Sequence, residues 1–169
     1  MVGSTDRSLK IRFAGAADEA FLWECLALAA YEDSATAARQ IPYLRKWLDG
    51  WPKPADFGAI AMLDDRPVGG AWARQFLGPE PDLPIYINGR TPEIAIGVMA
   101  DARGRGIGGR LVDRLIADAR MRDVDGLCLT VRSENPAVRL YRRKGFDFVP
   151  EAERINRVGG VSYGMVLRF

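Results

Sequence analysis

Residues 94–109 read IAIGVMADARGRGIGG, and no other stretch restricts the fold so closely. Ile94, Ile96 and Val98 alternate with Ala95 and Gly97 behind Glu93, and this near-continuous, β-branched apolar run predicts a strand buried on both faces. From Ile107 the repeat becomes helical. Ile107, Leu111, Val112, Leu115, Ile116 and Ala119 fall on one side, and Arg110, Asp113, Arg114, Asp118 and Arg122 fill the other. The helix therefore begins inside the glycine run. Its first amides have no partners within the helix, and Gly104, Gly106, Gly108 and Gly109 let another molecule touch the backbone. With the helix dipole and the charges of Arg103 and Arg105, such an end is a cradle for a phosphate or pyrophosphate.

The same residues, Gly104-x-Gly106-x-x-Gly109, also satisfy the dinucleotide-binding fingerprint, with Glu134 past the next strand where a ribose-binding acid would stand. Against that reading, the loop lies late in the chain and leaves little sequence for further βαβ units. No Gly-Lys-Ser/Thr follows, which excludes a nucleoside-triphosphate P-loop.

At 169 residues the chain is long enough for one well-filled core and short for two, so a single domain over 9–169 is expected behind a disordered tail at 1–8. The formal charge of +2 argues against a nucleic-acid partner, and no apolar run is long enough to span a bilayer or make a signal peptide, which points to the cytoplasm. The chain has no histidine, which removes Ser-His and Cys-His catalysis, His-ligated metal and His general bases together; no metal is expected. Cys25 and Cys128 sit in apolar patterns and read as buried thiols.

Ahead of the glycine loop, Leu9–Phe13 alternates like a short strand, and Asp18 is placed to cap a helix carrying Phe21, Leu22, Cys25, Leu26 and Ala29. A second helix is expected over 36–48, with Pro42 near its start or breaking it. The aromatic exit with Trp47 and Trp51 reads as core packing or as the wall of an acceptor pocket. Residues 56–63 and 68–76 form a hairpin, and 77–92 is a long irregular connection of the kind that often covers a substrate. After the helix come a strand over 127–132, an Asn135-Pro136 cap on a short helix to Arg143, and a closing strand pair over 145–149 and 161–169.

Two segments together carry a family resemblance. Arg103-Gly104-Arg105-Gly106-Ile107-Gly108 matches the Gln/Arg-x-x-Gly-x-Gly/Ala motif of the GNAT superfamily, the Gcn5-related N-acetyltransferases. The run from Arg132 through Asn135, Ala137 and Tyr141 to Gly145-Phe146 resembles that family's second conserved region, at the right separation and in the right order of elements. The resemblance implies an α/β (α+β) fold, a mixed, twisted sheet of six or seven strands with helices on both faces and two splayed central strands. It also implies acetyl-CoA as co-substrate, an amine as acceptor and, as in many relatives, a homodimer.

Carried over residue by residue, the resemblance puts the pyrophosphate of CoA on the amides of Gly104 to Gly108, with Arg103, Arg105, Gly106 and Ile107 in that loop. The pantetheine arm runs along the backbone of Val98 and Ala100, and Asn135 contacts it. The amine attacks the thioester directly, and Tyr141 is the general acid for the departing thiolate. Without the motif, Tyr141 reads first as a core aromatic whose hydroxyl finds a backbone partner. Glu93 is the nearest proton acceptor on the splayed strand. A solvated strand-end glutamate is the competing reading, with another carboxylate or a water chain as base. The remaining readings are a binding module of the same fold that holds acyl-CoA without turnover, and a nucleotide-binding oxidoreductase.

Overall fold

The computed structural model describes residues 8–79 and 85–169, so all but the last residue of the tail expected at 1–8 and the middle of the 77–92 connection fall outside the described residues. Seven strands form one sheet in the order β1-β2-β3-β4-β5-β7-β6. These are β1 (Leu9–Phe13), β2 (Phe57–Leu63), β3 (Arg66–Arg74), β4 (Glu93–Val98), β5 (Gly126–Arg132), β6 (Asp147–Ile155) and β7 (Val161–Arg168). Every pair is antiparallel except β4 with β5. A sheet with one parallel pair does not stack βαβ units, which removes the dinucleotide reading. Glu134 is exposed and accepts a hydrogen bond from Ser133 next to it.

Helices cover both faces: α1 (Glu19–Ala29), α2 (Ala35–Arg39) and α3 (Pro42–Arg45) on one, α4 (Ile107–Arg120) and α5 (Ala137–Arg143) on the other. In α4 the predicted apolar side is the buried one. Asp118, expected on the polar side, is only 3% exposed, because Arg114 one turn earlier pairs with it at 3.0 Å and lays its guanidinium over the Phe13 ring. In α1, Leu22, Trp23, Cys25 and Leu26 are all buried in the core that α1 shares with α2, α3 and the sheet. Glycines set its closeness to the sheet. A Cβ on Gly97 of β4 would collide with the backbone of Cys25, and one on Gly70 of β3 would press on Leu22.

Three local expectations are corrected. The helix expected over 36–48 is two, because Ile41, ahead of Pro42, is held in extended backbone (φ −95, ψ 109) and Pro42 opens α3 as its first residue. Asp18 does not cap α1 with its side chain. The carboxylate turns back to accept from the Gly15 amide at 2.8 Å and pairs with Arg12. The strand expected to end at Val149 runs on to Ile155, interrupted by a register shift between Val149 and Arg154, and its charged face is that of a sheet edge. Cys25 and Cys128 are buried free thiols, as expected, and burial pushes the Cys25 thiol up to about 12.

One buried cation braces the α3 side. The Arg74 guanidinium donates to Asp56 at 2.6 and 3.2 Å and to the carbonyls of Lys46 and Asp49 at 2.8 Å. Trp72 beside it donates to the Trp47 carbonyl at 3.0 Å. The turn after α3 is thereby fastened to the sheet through its carbonyls.

Candidate active site

β4 and β5 pair at one position, Glu93 with Cys128, where the Cys128 amide donates to the Pro92 carbonyl at 3.0 Å. β4 stays paired with β3 from Glu93 to Val98, so it is the β5 side that opens. The Met99 amide donates to Val68 on the β3 side, and by the alternation of an antiparallel ladder Ile94, Ile96 and Val98 turn their backbone groups to the gap. The Val98 carbonyl there accepts from Arg103 Nε at 3.3 Å, which leaves its amide facing the opening. This splay, which the family resemblance implied, explains why Ala95, Ile96 and Val98 are only half-buried on a strand whose apolar run predicted burial on both faces.

A cavity of about 370 Å³ occupies the gap. It is lined from both faces of β4 by Glu93, Ala95, Ile94 and Ile96, from the α1 side by Leu26, Tyr31, Tyr43 and Trp47, and from the α5 side by Asn135 and Tyr141. It therefore passes through the sheet. Trp47 is 5% exposed and packs in the core while also lining the cavity. Trp51 belongs to the core alone and donates from its ring nitrogen to the Gly15 carbonyl at 3.0 Å.

Glu93 is 2% exposed, which rules out the solvated strand-end reading. Oε1 accepts from the Thr130 hydroxyl at 3.3 Å, and Oε2 is buried with no hydrogen-bond partner among the described residues. Burial pushes the carboxyl up to about 8, partly offset by the Thr130 bond. The group is thus poised between acid and base near neutrality.

Tyr141 follows Ala137 by one turn on α5, and its ring meets Phe146 edge-on at 5.9 Å. Burial, and secondarily the neighbouring Tyr31 phenol, push its hydroxyl up to about 12, so it keeps its proton at any ordinary working pH. Asn135 caps this helix by accepting from the Ala137 amide at 2.9 Å and spends its amide nitrogen on the Tyr31 hydroxyl at 3.0 Å. Tyr31 is a site residue that sequence reasoning missed: it follows α1 in left-handed backbone (φ +60), and Arg132 lies over its ring at 3.9 Å. Arg157 closes the same corner through Glu32 and the Ala30 carbonyl.

The glycine loop lies beyond the end of this cavity rather than in its lining. Gly104 (φ +75) and Gly106 (φ +73) need the left-handed backbone, and a Cβ on either would meet nothing within 4 Å. Gly106 caps α4 with no side chain, so the amides that follow are open. Arg103, Arg105 and Arg110 are exposed around them, and Ala100 is exposed at the end of β4. Open amides, positive charge and free space together fit a diphosphate. The described second half of the 77–92 connection packs away from the cavity, with Ile85 buried against Cys128, Ala152 and Val166.

The model of the acetyltransferase (GNAT) family matches residues 21–146, well over half of the chain. The chain belongs to that family. No curated protein sequence matches it. Among solved structures, the ribosomal-protein-alanine N-acetyltransferase from Brucella melitensis is 23% identical with a TM-score of 0.69, over 95% of this chain and 99% of that one. yncA from Salmonella typhimurium, with its cofactor acetyl-CoA, is 19% identical with a TM-score of 0.68, over 95% and 94%. The aminoglycoside acetyltransferase AAC(6')-Ib in complex with coenzyme A is 20% identical with a TM-score of 0.64, over 95% of each chain. At these identities the likeness is one of fold.

Within this GNAT fold the residues expected to act divide into two groups. Glu93, Asn135 and Tyr141 meet at the cavity, and Arg103, Gly104, Arg105, Gly106, Ile107 and Gly108 form the open loop. Val98 stands between them on the free side of β4. Among the described residues no helix is long and apolar enough to cross a membrane.

Proposed function

We propose that this chain transfers an acetyl group from acetyl-CoA to a primary amine by direct attack, without a covalent enzyme intermediate. The observation that carries the reading is the placement of the Tyr141 phenol and the Glu93 carboxyl on the walls of one cavity that opens through the sheet. The neighbours with acetyl-CoA or coenzyme A bound support the choice of co-substrate.

Acetyl-CoA, when bound, supplies an activated acetyl thioester. The amides from Gly104 to Gly108 hold its diphosphate, assisted by Arg103 and Arg105. The Val98 amide and the exposed backbone at Ala100 bind the arm as a neighbouring strand would, and Asn135 adds a side-chain bond once it releases Tyr31. Arg103 holds the Val98 carbonyl and so fixes where that amide points. Amides on the free side of β4 donate to the thioester oxygen as it gains negative charge.

Glu93 takes the proton that the attacking nitrogen must lose. An ammonium entering the cavity favours the carboxylate form of Glu93, so the acceptor helps to generate its own base. Tyr141 gives its proton to the departing sulfur and is restored from solvent. Tyr141→Phe is expected to lower turnover at least tenfold while acetyl-CoA still raises the melting temperature as it does for the native protein. Unchanged turnover in that variant would remove Tyr141 from the chemistry.

A further inference from the structure

The acceptor half of the cavity has charge at both ends, and the signs differ. Its floor is the Glu93 carboxyl, whose Oε2 is buried and has no partner among the described residues. A buried polar atom without a partner is costly, and a carboxyl in the lining of a cavity calls for a donor, which a ligand ammonium would supply. Further along the same face of the sheet stands Arg132. β5 turns Thr130 and Arg132 to one side, Thr130 reaches Glu93, and Arg132 is two residues on, about 7 Å along the strand.

Arg132 lines the cavity, is half-buried, and has no carboxylate partner among the described residues. Its guanidinium carbon lies over the Tyr31 ring, 3.9 Å from the ring centre. A cation–ring contact uses no hydrogen-bond acceptor, and a guanidinium fork is the group that grips a carboxylate with two parallel bonds. Arg157, nearby, is already neutralised by Glu32. Between the two charged ends the wall is aromatic, from Tyr43 and Trp47.

We infer that the acceptor is a free amino acid with an apolar side chain, its amino group over Glu93, its carboxylate on Arg132 and its side chain against Tyr43 and Trp47. This assignment rests on the acetyl-transfer reading above and narrows it. A polyamine would bring a second cation up to Arg132, and an amine without an anionic group would leave that guanidinium unanswered. The cavity, about 370 Å³, holds a ligand of this size together with the end of a thioester arm.

The test measures thiol release from acetyl-CoA with phenylalanine, leucine and methionine, each against the amine that lacks only its carboxylate. The amino acids are expected to have kcat/KM at least tenfold higher than their decarboxylated partners. Arg132→Gln should raise KM for the amino acids at least tenfold, so that the preference falls toward one, and Arg132→Lys, which keeps the charge but not the fork, should fall between. Melting curves of both variants show that they fold. If the amines react as well as the amino acids, or if the preference survives in both variants, the assignment is overturned and acetyl transfer stands. Should none of the six compounds react, the assignment is overturned where acetyl-CoA still stabilises the fold, and the transfer reading falls with it where acetyl-CoA does not.

Discussion

The Thr130 hydroxyl donates to Glu93 Oε1 at 3.3 Å across the point where β4 and β5 part, and among the described residues nothing answers the other oxygen of that carboxyl. A strand pair that stayed closed would have no room for a ligand there, and one that parted earlier would leave Glu93 in water. The position of the fork therefore sets both the depth of the cavity and the proton affinity of its floor.

Glu93 gives the molecule two pH dependences of opposite consequence. Activity that needs the carboxylate should climb as pH rises through about 8, and Glu93→Gln should lose that limb together with at least tenfold in kcat/KM. Stability runs the other way. The folded state binds this proton more tightly than the unfolded chain, so the contribution is full below the ordinary carboxylic-acid range. It is lost as pH rises to about 8 and amounts to a few kcal/mol in order of magnitude. Melting temperatures between pH 5 and pH 9 should fall more steeply for the native protein than for Glu93→Gln, and parallel curves would contradict the burial of this group.

Arg74 and Asp56 have side chains only 1% and 2% exposed, and the same guanidinium holds the carbonyls after α3. Arg74→Met leaves a buried carboxylate unpaired and should cost about 3–5 kcal/mol in denaturant unfolding. Replacing both residues with apolar ones should recover part of that loss. A single variant as stable as the native protein would show that Asp56 finds water instead.

Gly97 is where α1 touches the sheet, and its Cβ would meet the Cys25 backbone rather than a movable side chain. Gly97→Ala should destabilise the fold by at least about 2 kcal/mol. Urea unfolding reads the effect directly.

At Gly106 a Cβ meets nothing in the fold, so Gly106→Ala carries only the backbone cost of φ +73, about 1–2 kcal/mol. That methyl group would stand where a diphosphate must approach. Calorimetric titration with coenzyme A should show at least tenfold weaker binding, and an unchanged Kd would place the diphosphate elsewhere.

The sequence made the second half of the fold plain because its signals are local. The helical repeat after Ile107, the left-handed glycines before it, the Asn135 cap and the Gly145 stop each act over a few residues. The first half depends on tertiary contacts. α1 lies in a core shared with α2, α3 and the sheet, so it has no sharp polar stripe, and the break at Pro42 is visible only as a choice between starting and splitting a helix. β6 was cut short because an edge strand carries charges that read as loop. In the site, Tyr141 and the glycine loop were legible from their motifs. The burial of Glu93 was not, since it is set by α1, α3 and Thr130, and Tyr31 gave no signal beyond its place after an apolar helix.

Diffraction from crystals soaked with coenzyme A tests the central claim most directly. The expected electron density has the diphosphate within hydrogen-bond distance of the amides of Gly104 to Gly108, the arm between β4 and β5, and the sulfur facing the Tyr141 hydroxyl. Density for the diphosphate away from that loop, or a sulfur out of reach of Tyr141, would contradict it.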